Sequence, residues 1–187
     1  MIKQVEGFDK YVAFIGFRNV RLRDVDHFLK LIRKKQDKVV TQFFNASLVA
    51  GRKHLFFATL NALKAFRNGT NISKNLAIEC LLYASAQRQI RMAFELLGIK
   101  QGLSQIAVLI LADSESSVKD SSIEVTNLVE GIRDDRVLDF SDEKTSAVRK
   151  LFGISDVELG SRDRNDDEKR AISDLVIEHM AILVTQR

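Results

Sequence analysis

Runs of apolar residues separated by polar ones predict a chain with few strands and many helices. Three runs rich in β-branched and aromatic residues, at 11–17, 39–45 and 105–112, are typical of buried strands, and 137–140 predicts a weaker fourth strand. Few strands among many helices, without regular βαβ alternation, indicate an α+β domain with a small covered sheet. Apolar residues recurring at helical spacing predict helices at 25–35, 52–67, 115–130, 142–152 and 167–185.

Residues suited to helix ends mark several of these boundaries. Asp24 stands where its carboxylate can cap the helix at 25–35. Gly69 follows the helix at 52–67 and is free to adopt the left-handed cap conformation. Asp166, Asp167 and Glu168 favour the positive end of the last helix.

The stretch 71–100 changes character abruptly in its middle. Residues 76–84 are apolar around nearly the whole circumference, with Glu79 as the only charge, which is typical of a helix buried on every side. Ser73 is predicted to cap this helix. Residues 85–87 are predicted to form a turn, after which an amphipathic helix restarts. The turn is either an ordinary helix–helix corner with solvated arginines or the place where a binding surface begins.

Length and composition are those of one globular domain over residues 1–187, with a charged loop at about 155–168. Hydrophobic residues make up 45% of the chain and charged residues 29%. No apolar run is long enough to span a bilayer, so no membrane partner is expected. The N-terminus lacks the apolar stretch of a signal peptide, and the single Cys80 has no disulfide partner. Both features predict a cytoplasmic protein.

Charge is divided unevenly along the chain. Residues 1–110 carry 18 Lys and Arg against 7 Asp and Glu, a net charge of +11. Residues 111–187 carry 11 against 18, a net charge of −7. Such asymmetry favours a basic surface for a polyanion in the first half. The alternative is an uneven distribution of solvated lysines.

A search for catalytic chemistry finds no catalytic residue, cofactor motif or metal site. The glycines are scattered and form no phosphate-binding loop. His27, His54 and His179 stand far apart, without the paired spacing of a zinc site. Cys80 lies among apolar residues and is interpreted as a small core residue. These absences predict a protein that is not an enzyme.

The chain contains, in order, "VAFIGFRNV", a longer central segment and "IAVLILAD", a series that resembles the family of the smallest regulatory subunit of the KEOPS (EKC) complex. The central segment is "FFNASLVAGRKHLFFATLNALKAFRNGTNISKNLAIECLLYASAQRQIRMAFELLGIK", where the resemblance is tightest. It runs from about Tyr11 to the C-terminus, and its specificity comes from the order of the segments, since none is catalytic or unique. The insertion "GSRDRNDDEKR" departs from the family pattern and is assigned no family role.

The resemblance implies a mixed fold in which a small antiparallel sheet is flanked by helices. It implies that the protein binds and regulates the small atypical kinase of the complex. It also implies a role in threonylcarbamoyl-adenosine modification of tRNA. In archaeal members of the family it implies direct recruitment of tRNA through the 3′ CCA end.

One face of the helix at 52–67 agrees with an RNA partner. At about 100° per residue, its cations fall within about 60° of one another, and an aromatic ring and Leu60 share the same sector. Rings among cations suit a single-stranded RNA end, whose bases stack while its phosphates are neutralised. The simpler alternative is a partly buried helix whose lysines extend past core residues. Adding cations near the 85–87 turn, the predicted tRNA-binding residues are Lys53, Phe57, Lys64, Arg67, Lys74, Arg88 and Arg91.

The last helix offers a candidate kinase-binding flank. Ile172, Val176 and Leu183 fall within about 40° and should face the core. The apolar residues on the neighbouring flank, beside Asp174 and Glu178, are what a partner surface needs, although incomplete packing explains them equally well. The predicted kinase-binding residues are Ile177, Met180 and Val184.

Two other classes of function remain open from the sequence. A stand-alone RNA-binding regulator would bind RNA without associating with a kinase. A small enzyme with an unrecognised site would show turnover or a bound cofactor.

Overall fold

The computed structural model describes residues 2–35, 39–160 and 167–183, with the side chains of 33–35 left out. Two compact units are distinguished by their internal contacts. Unit 1 comprises Met1–Ala46 and Gly98–Leu138, and unit 2 comprises Ser47–Leu97 and Asp139–Arg187. The expectation of a single domain over 1–187 stays a prediction.

Unit 1 contains an antiparallel sheet in the order β1-β2-β4-β3, with β5 paired to the end of β2. The central strands β2 and β4 are almost entirely buried, which explains their continuous apolar sequences. The sheet confirms the predicted α+β class and the three predicted main strands. The strands are β1 (Ile2–Val5), β2 (Lys10–Arg18), β3 (Val40–Asn45), β4 (Gln105–Ala112) and β5 (Ile132–Arg133).

Two helices accompany this sheet within unit 1. The first, α1 (Val25–Lys35), starts where the Asp24 carboxylate accepts a hydrogen bond from the His27 amide at 2.8 Å, as predicted. Phe28 of α1 meets Phe43 of β3 edge-on, with ring centroids 5.1 Å apart. The helix α5 (Glu115–Leu128) is capped by Ser114 and packs on β2 and β4. Apolar side chains of both helices and the sheet form one buried cluster.

Unit 2 is helical in its described residues. Its central helix α3 packs against α2 and α4, and α8 packs against α2, α6 and α7. Burial of α3 from Glu79 to Ala84 confirms the predicted core helix. Gly69 follows α2 at a φ of 65°, and its left-handed conformation was also predicted. The helices are α2 (Arg52–Arg67), α3 (Leu76–Ala84), α4 (Ile90–Leu97), α6 (Asp142–Phe152), α7 (Asp156–Gly160) and α8 (Glu168–Ile182).

The predicted strand at 137–140 is wrong. A 3-10 helix occupies Asp135–Leu138 instead, with Val137 and Leu138 both buried. Two consecutive buried residues do not fit the alternation of a half-buried strand. The Asp134 carboxylate accepts a hydrogen bond from the Arg136 amide at 3.1 Å, a local bond that competes with sheet pairing.

The charged segment at 155–168 is only partly described. Its start forms the short helix α7, which the sequence was expected to leave as loop. Asp167 caps α8 by accepting a hydrogen bond from the Lys169 amide at 3.2 Å, in agreement with the predicted helix start. Asp166 lies outside the described residues. Among the helices of the described ranges, none has the length and apolar character needed to cross a bilayer.

Candidate functional site

The outward face of α2 carries three of the predicted RNA-contacting cations and one aromatic ring. Lys53, Lys64 and Arg67 are exposed, and Phe57 keeps 36% of its surface exposed. From Lys53 to Arg67 the helix rises about 21 Å at 1.5 Å per residue. The helix sequence contains no Asp or Glu. This face therefore presents positive charge and a ring without a carboxylate on the same helix.

Phe57 is held on one side and open on the other. The ring of Phe56 meets it edge-on, with centroids 5.9 Å apart, a favoured geometry for aromatic pairs. Phe56 and Leu60 are half-buried and border the exposed face. The opposite face of α2 is buried from His54 to Ala65, so the helix divides cleanly between core and surface. An exposed ring held by a neighbour is suited to stacking on a planar group.

Lys74 lies on a loop that a buried carboxylate holds in place. Glu79, fully buried in α3, accepts hydrogen bonds from the backbone amides of Ile72 at 3.1 Å and Ser73 at 2.7 Å. The predicted cap at Ser73 is wrong, because Asn75 caps α3 by accepting from the amides of 77 and 78. The Ser73 hydroxyl instead accepts from the Asn75 amide at 3.1 Å, ahead of the helix. The single charge in the apolar helix thus fixes the loop that presents Lys74.

The turn between α3 and α4 is a Schellman motif. The Gln87 amide donates to the carbonyl of Leu82 at 3.0 Å, and the Ala86 amide donates to that of Tyr83 at 3.0 Å. Ser85 caps the helix, and its hydroxyl donates to the carbonyl of Leu81 at 2.8 Å. Ala86 takes the left-handed position at a φ of 51°, where glycine is usual. The predicted turn at 85–87 is confirmed, and it ends α3 without proline or glycine.

A buried histidine fixes this turn to the start of α2. His54 is fully buried; its Nδ1 accepts from the Ala50 amide at 3.1 Å, so Nε2 carries the proton. Nε2 lies 2.7 Å from the carbonyl oxygen of Ala84, one of the last carbonyls of α3. Burial lowers the pKa of His54 to about 4, because a charged imidazole would lose its hydration. The neutral ring also packs edge-on against Phe152, with centroids 5.6 Å apart. The sequence around His54 contains no pattern that predicts this link between α2 and α3.

The two arginines at the start of α4 differ in their contacts. Arg88 is exposed, yet its Nη1 donates to the carbonyl oxygen of Leu183, the C-cap of α8, at 3.2 Å. Arg91 is 89% exposed and pairs with Glu95 one turn later at 2.8 Å. An exposed pair of this kind contributes little to stability and is readily exchanged for another anion. Arg88 therefore contributes both to packing and to the surface.

A cavity of about 260 Å³ opens at the same turn. His179, in its wall, lies 3.2 Å from the Glu158 carboxylate. Hydrogen bonds from the Ser155 amide and hydroxyl, together with His179, lower the pKa of Glu158 to about 2. Gln87 brings an amide side chain to the cavity edge. The lining consists of residues 85–87, Leu151, Phe152, His179, Ile182 and Leu183.

The structure gives the burial of two of the three predicted kinase-binding residues on α8, and their role in kinase binding stays a prediction. Met180 is fully buried, so the expectation that it is exposed is wrong. Helix α8 packs against α2, α6 and α7, and its buried face includes Met180 as well as Ile172 and Val176. Ile177 is half-buried, and Val184 lies outside the described residues. Ile182 is 48% exposed and was missed because its position falls away from the predicted flank.

The predicted core stripe of α8, comprising Ile172, Val176 and Leu183, is buried and therefore confirmed. Within the described ranges, no group of three or more His, Cys, Asp and Glu residues is placed to hold a metal ion. Cys80 is fully buried, and burial, followed by the nearby Glu79, raises the pKa of its thiol far above the usual range. A thiol in that environment is not activated as a nucleophile.

Comparisons with known proteins identify the family to which the chain belongs. A regulatory protein Cgi121 from Methanocaldococcus jannaschii is 34% identical over 113 residues, which cover 60% of this chain and 70% of that protein. A KEOPS complex subunit Cgi121 from Pyrococcus abyssi is 35% identical over 78 residues, covering 41% of this chain and 46% of that protein. The family model described as kinase binding protein CGI-121 matches residues 17–183. The chain therefore belongs to the CGI-121 family of kinase-binding proteins.

Proposed function

We propose that this protein is a non-catalytic subunit of a KEOPS complex that binds and regulates the small atypical kinase of that complex. The observation that carries the proposal is the match of residues 17–183 to a family described as kinase-binding. The Pyrococcus relative, named as a KEOPS complex subunit, supports the assembly. Of the kinase contacts predicted from sequence, Ile177 is retained in the proposal, and Val184 stays a prediction.

The proposal includes recruitment of tRNA through its 3′ CCA end. The face of α2 formed by Lys53, Phe57, Lys64 and Arg67 supports it, because cations and an open ring serve phosphates and unstacked bases. Lys74, Arg88 and Arg91 extend the same set across the loop and turn around α3. The cavity beside Arg88 offers a polar amide and apolar walls, which suit an unpaired base.

Copurification tests the kinase part of the proposal. The tagged full-length protein, expressed in its native cell, should retain a small kinase through stringent washing. The purified protein alone should neither hydrolyse ATP nor modify tRNA. Retention of RNA without any kinase would instead identify a stand-alone RNA-binding regulator. Turnover abolished by one substitution would identify an enzyme.

Salt-dependent tRNA binding tests the RNA part. Lys53→Gln with Lys64→Gln should flatten the slope of log affinity against log salt by about two units, one for each phosphate that the protein no longer neutralises. Lys119→Gln with Lys150→Gln removes the same charge from exposed sites outside the predicted set and serves as the matched control. Removing the 3′ CCA should weaken binding of the wild-type protein. Equal binding of trimmed and intact tRNA would contradict recognition of the 3′ CCA end, but not tRNA binding by the basic surface.

A further inference from the structure

A second group of cations lies in unit 1, where the end of β2 runs beside β5. Arg18 pairs in the sheet with Ile132, and the Arg21 amide donates to the carbonyl of Glu130 at 2.9 Å. These contacts bring the segment that follows β2 alongside the segment that contains β5. None of the cations belongs to the surface predicted from sequence. The arginine cluster consists of Arg18, Arg21, Arg23, Arg133 and Arg136.

One carboxylate orients two guanidinium groups of the cluster. Asp134 has a side chain only 13% exposed, and its Oδ2 accepts from Arg18 Nε at 3.1 Å and from Arg136 Nη2 at 2.8 Å. Its Oδ1 accepts from Arg136 Nε at 2.9 Å. The hydrogen bonds from Arg136 hold the pKa of Asp134 well below its usual range. The carboxylate is thus committed to holding the arginines and not displayed to solvent.

The neighbouring carboxylate is anchored in the same way. Asp135 Oδ1 accepts from the Gly16 amide at 2.9 Å, and its Oδ2 lies 3.4 Å from Arg133 Nη2. Gly16 permits this close approach, since a Cβ there would lie 2.4 Å from the side chain of Val137. The side chains of Arg18, Arg133 and Arg136 remain 43%, 42% and 83% exposed. Both acids therefore fix arginines whose remaining donors face solvent.

Arg21 and Arg23 complete the cluster with uncommitted charge. They are exposed and alternate with Val20 and Leu22, which are buried, so both arginines point outward. Neither side chain forms an ion pair with another residue in the part of the chain that the structure describes. Guanidinium groups bind phosphate oxygens bidentately, and fixed ones lose little freedom on binding.

We propose that the arginine cluster is a phosphate-binding surface that contacts the backbone of the RNA, in addition to the α2 face. The inference rests on the proposed RNA-binding function. The density of positive charge favours RNA over an acidic protein, because nucleic-acid interfaces are much more positively charged than protein–protein interfaces. Ile132 is the large exposed apolar side chain within this segment, and one such residue makes a poor apolar core for a protein contact.

The test uses full-length protein and intact tRNA over a range of salt concentrations. Arg21→Gln with Arg23→Gln should flatten the slope of log affinity against log salt by about two units. Arg21→Lys with Arg23→Lys keeps the charge and should retain the slope. Lys30→Gln with Lys119→Gln, an equal loss of charge from helices of the same unit, should also retain it. Thermal melts of each variant confirm that the proteins compared are folded.

Three results would overturn the inference, and they are distinguishable. In the first, Arg21→Gln with Arg23→Gln keeps the wild-type slope of log affinity against log salt, while Lys53→Gln with Lys64→Gln flattens it. This result rejects the arginine cluster and keeps the proposed function. Wild-type protein that binds no tRNA rejects both. If Arg21→Gln with Arg23→Gln binds tRNA as wild type does but copurifies less kinase, the arginine cluster belongs to a protein contact instead.

Discussion

The Nε2–H of His54 donates to the carbonyl oxygen of Ala84 across 2.7 Å and so joins the start of α2 to the end of α3. The same ring accepts the Ala50 amide through Nδ1. Both ring nitrogens are used, and a proton added to Nδ1 would remove its acceptor. The hydrogen bond from the Ala50 amide to Nδ1 therefore holds only while the imidazole is neutral.

Stability is expected to fall as the pH drops below about 6.5. The pKa of His54 is lowered from 6.5 in the unfolded chain to about 4 in the fold, so protonation favours unfolding between these values. The expected loss is about 2 kcal/mol by pH 5 and about 3 kcal/mol by pH 4. Urea unfolding at a series of pH values measures it.

A matched pair of variants isolates this contribution. His54→Gln keeps a donor and an acceptor without titrating, and it should remove most of the loss between pH 7 and pH 5. His27→Gln changes an exposed histidine and should leave the loss in place. Equal pH dependence of wild type and His54→Gln would contradict the assignment.

Glu79→Gln should destabilise the fold by about 1–3 kcal/mol, because an amide nitrogen would face backbone donors that the carboxylate now accepts. Glu95→Gln removes an exposed carboxylate paired with Arg91 and should change stability by less than about 0.5 kcal/mol. Denaturant titration compares the two. Equal effects would show that the loop around Ser73 does not depend on Glu79.

Ala86→Val should destabilise the protein by more than about 1 kcal/mol, since a β-branched residue is strained at a φ of 51°. Ala86→Gly should be at least as stable as wild type, because glycine adopts this conformation without a Cβ penalty. The difference in melting temperature between the two variants is the measurement. A valine as stable as glycine would mean that the turn has another backbone conformation.

Much of the fold follows from apolar spacing, whereas polar contacts set the details. The helix at 142–152 has the predicted bounds, because its pattern and the following glycine agree. The strand β1 was missed, since its four residues are largely exposed at a sheet edge and carry little apolar signal. The cap is Asn75 and not Ser73, whose hydroxyl accepts from the Asn75 amide and whose own amide is bound by Glu79, six residues away. Such partners are distant in sequence and leave no local pattern.

In the candidate site, too, local sequence spacing predicts some features, whereas contacts between distant residues determine others. The exposed face of α2 was predictable, since Lys53, Lys64 and Arg67 recur at helical spacing. The burial of Met180 was not predictable, because packing between helices that are distant in sequence leaves no local pattern. The arginine cluster is equally invisible in sequence, where more than a hundred residues separate Arg18 from Arg133.

Phe57→Ala should weaken tRNA binding by about 1–3 kcal/mol if the ring stacks a base, without changing the salt slope. Its ring is exposed beside Lys53 and Lys64, so the loss concerns stacking and not charge. Phe56→Ala removes the half-buried neighbour and serves as a comparison for indirect effects. Binding measured at two salt concentrations separates the contributions, and an unchanged affinity would exclude stacking at this position.

Ile177→Asp should weaken copurification of the kinase and leave a folded protein, because this side chain is only half-buried. Met180→Asp places a carboxylate at a fully buried position and should unfold the protein or destabilise it by several kcal/mol. Circular dichroism separates the two outcomes. An unfolded Ile177→Asp protein would show that Ile177 belongs to the core.

The hydrogen bond from Arg88 to the carbonyl oxygen of Leu183 has a thermodynamic consequence. It joins the turn proposed to meet RNA to the helix proposed to meet the kinase. If the proposed contacts form, a phosphate that draws the guanidinium away would release the end of α8, and a partner that holds α8 would alter the availability of the guanidinium. Linkage then requires that RNA change kinase affinity by the same factor by which the kinase changes RNA affinity. Under the proposed function, one side chain would therefore make tRNA binding and kinase binding reciprocal events.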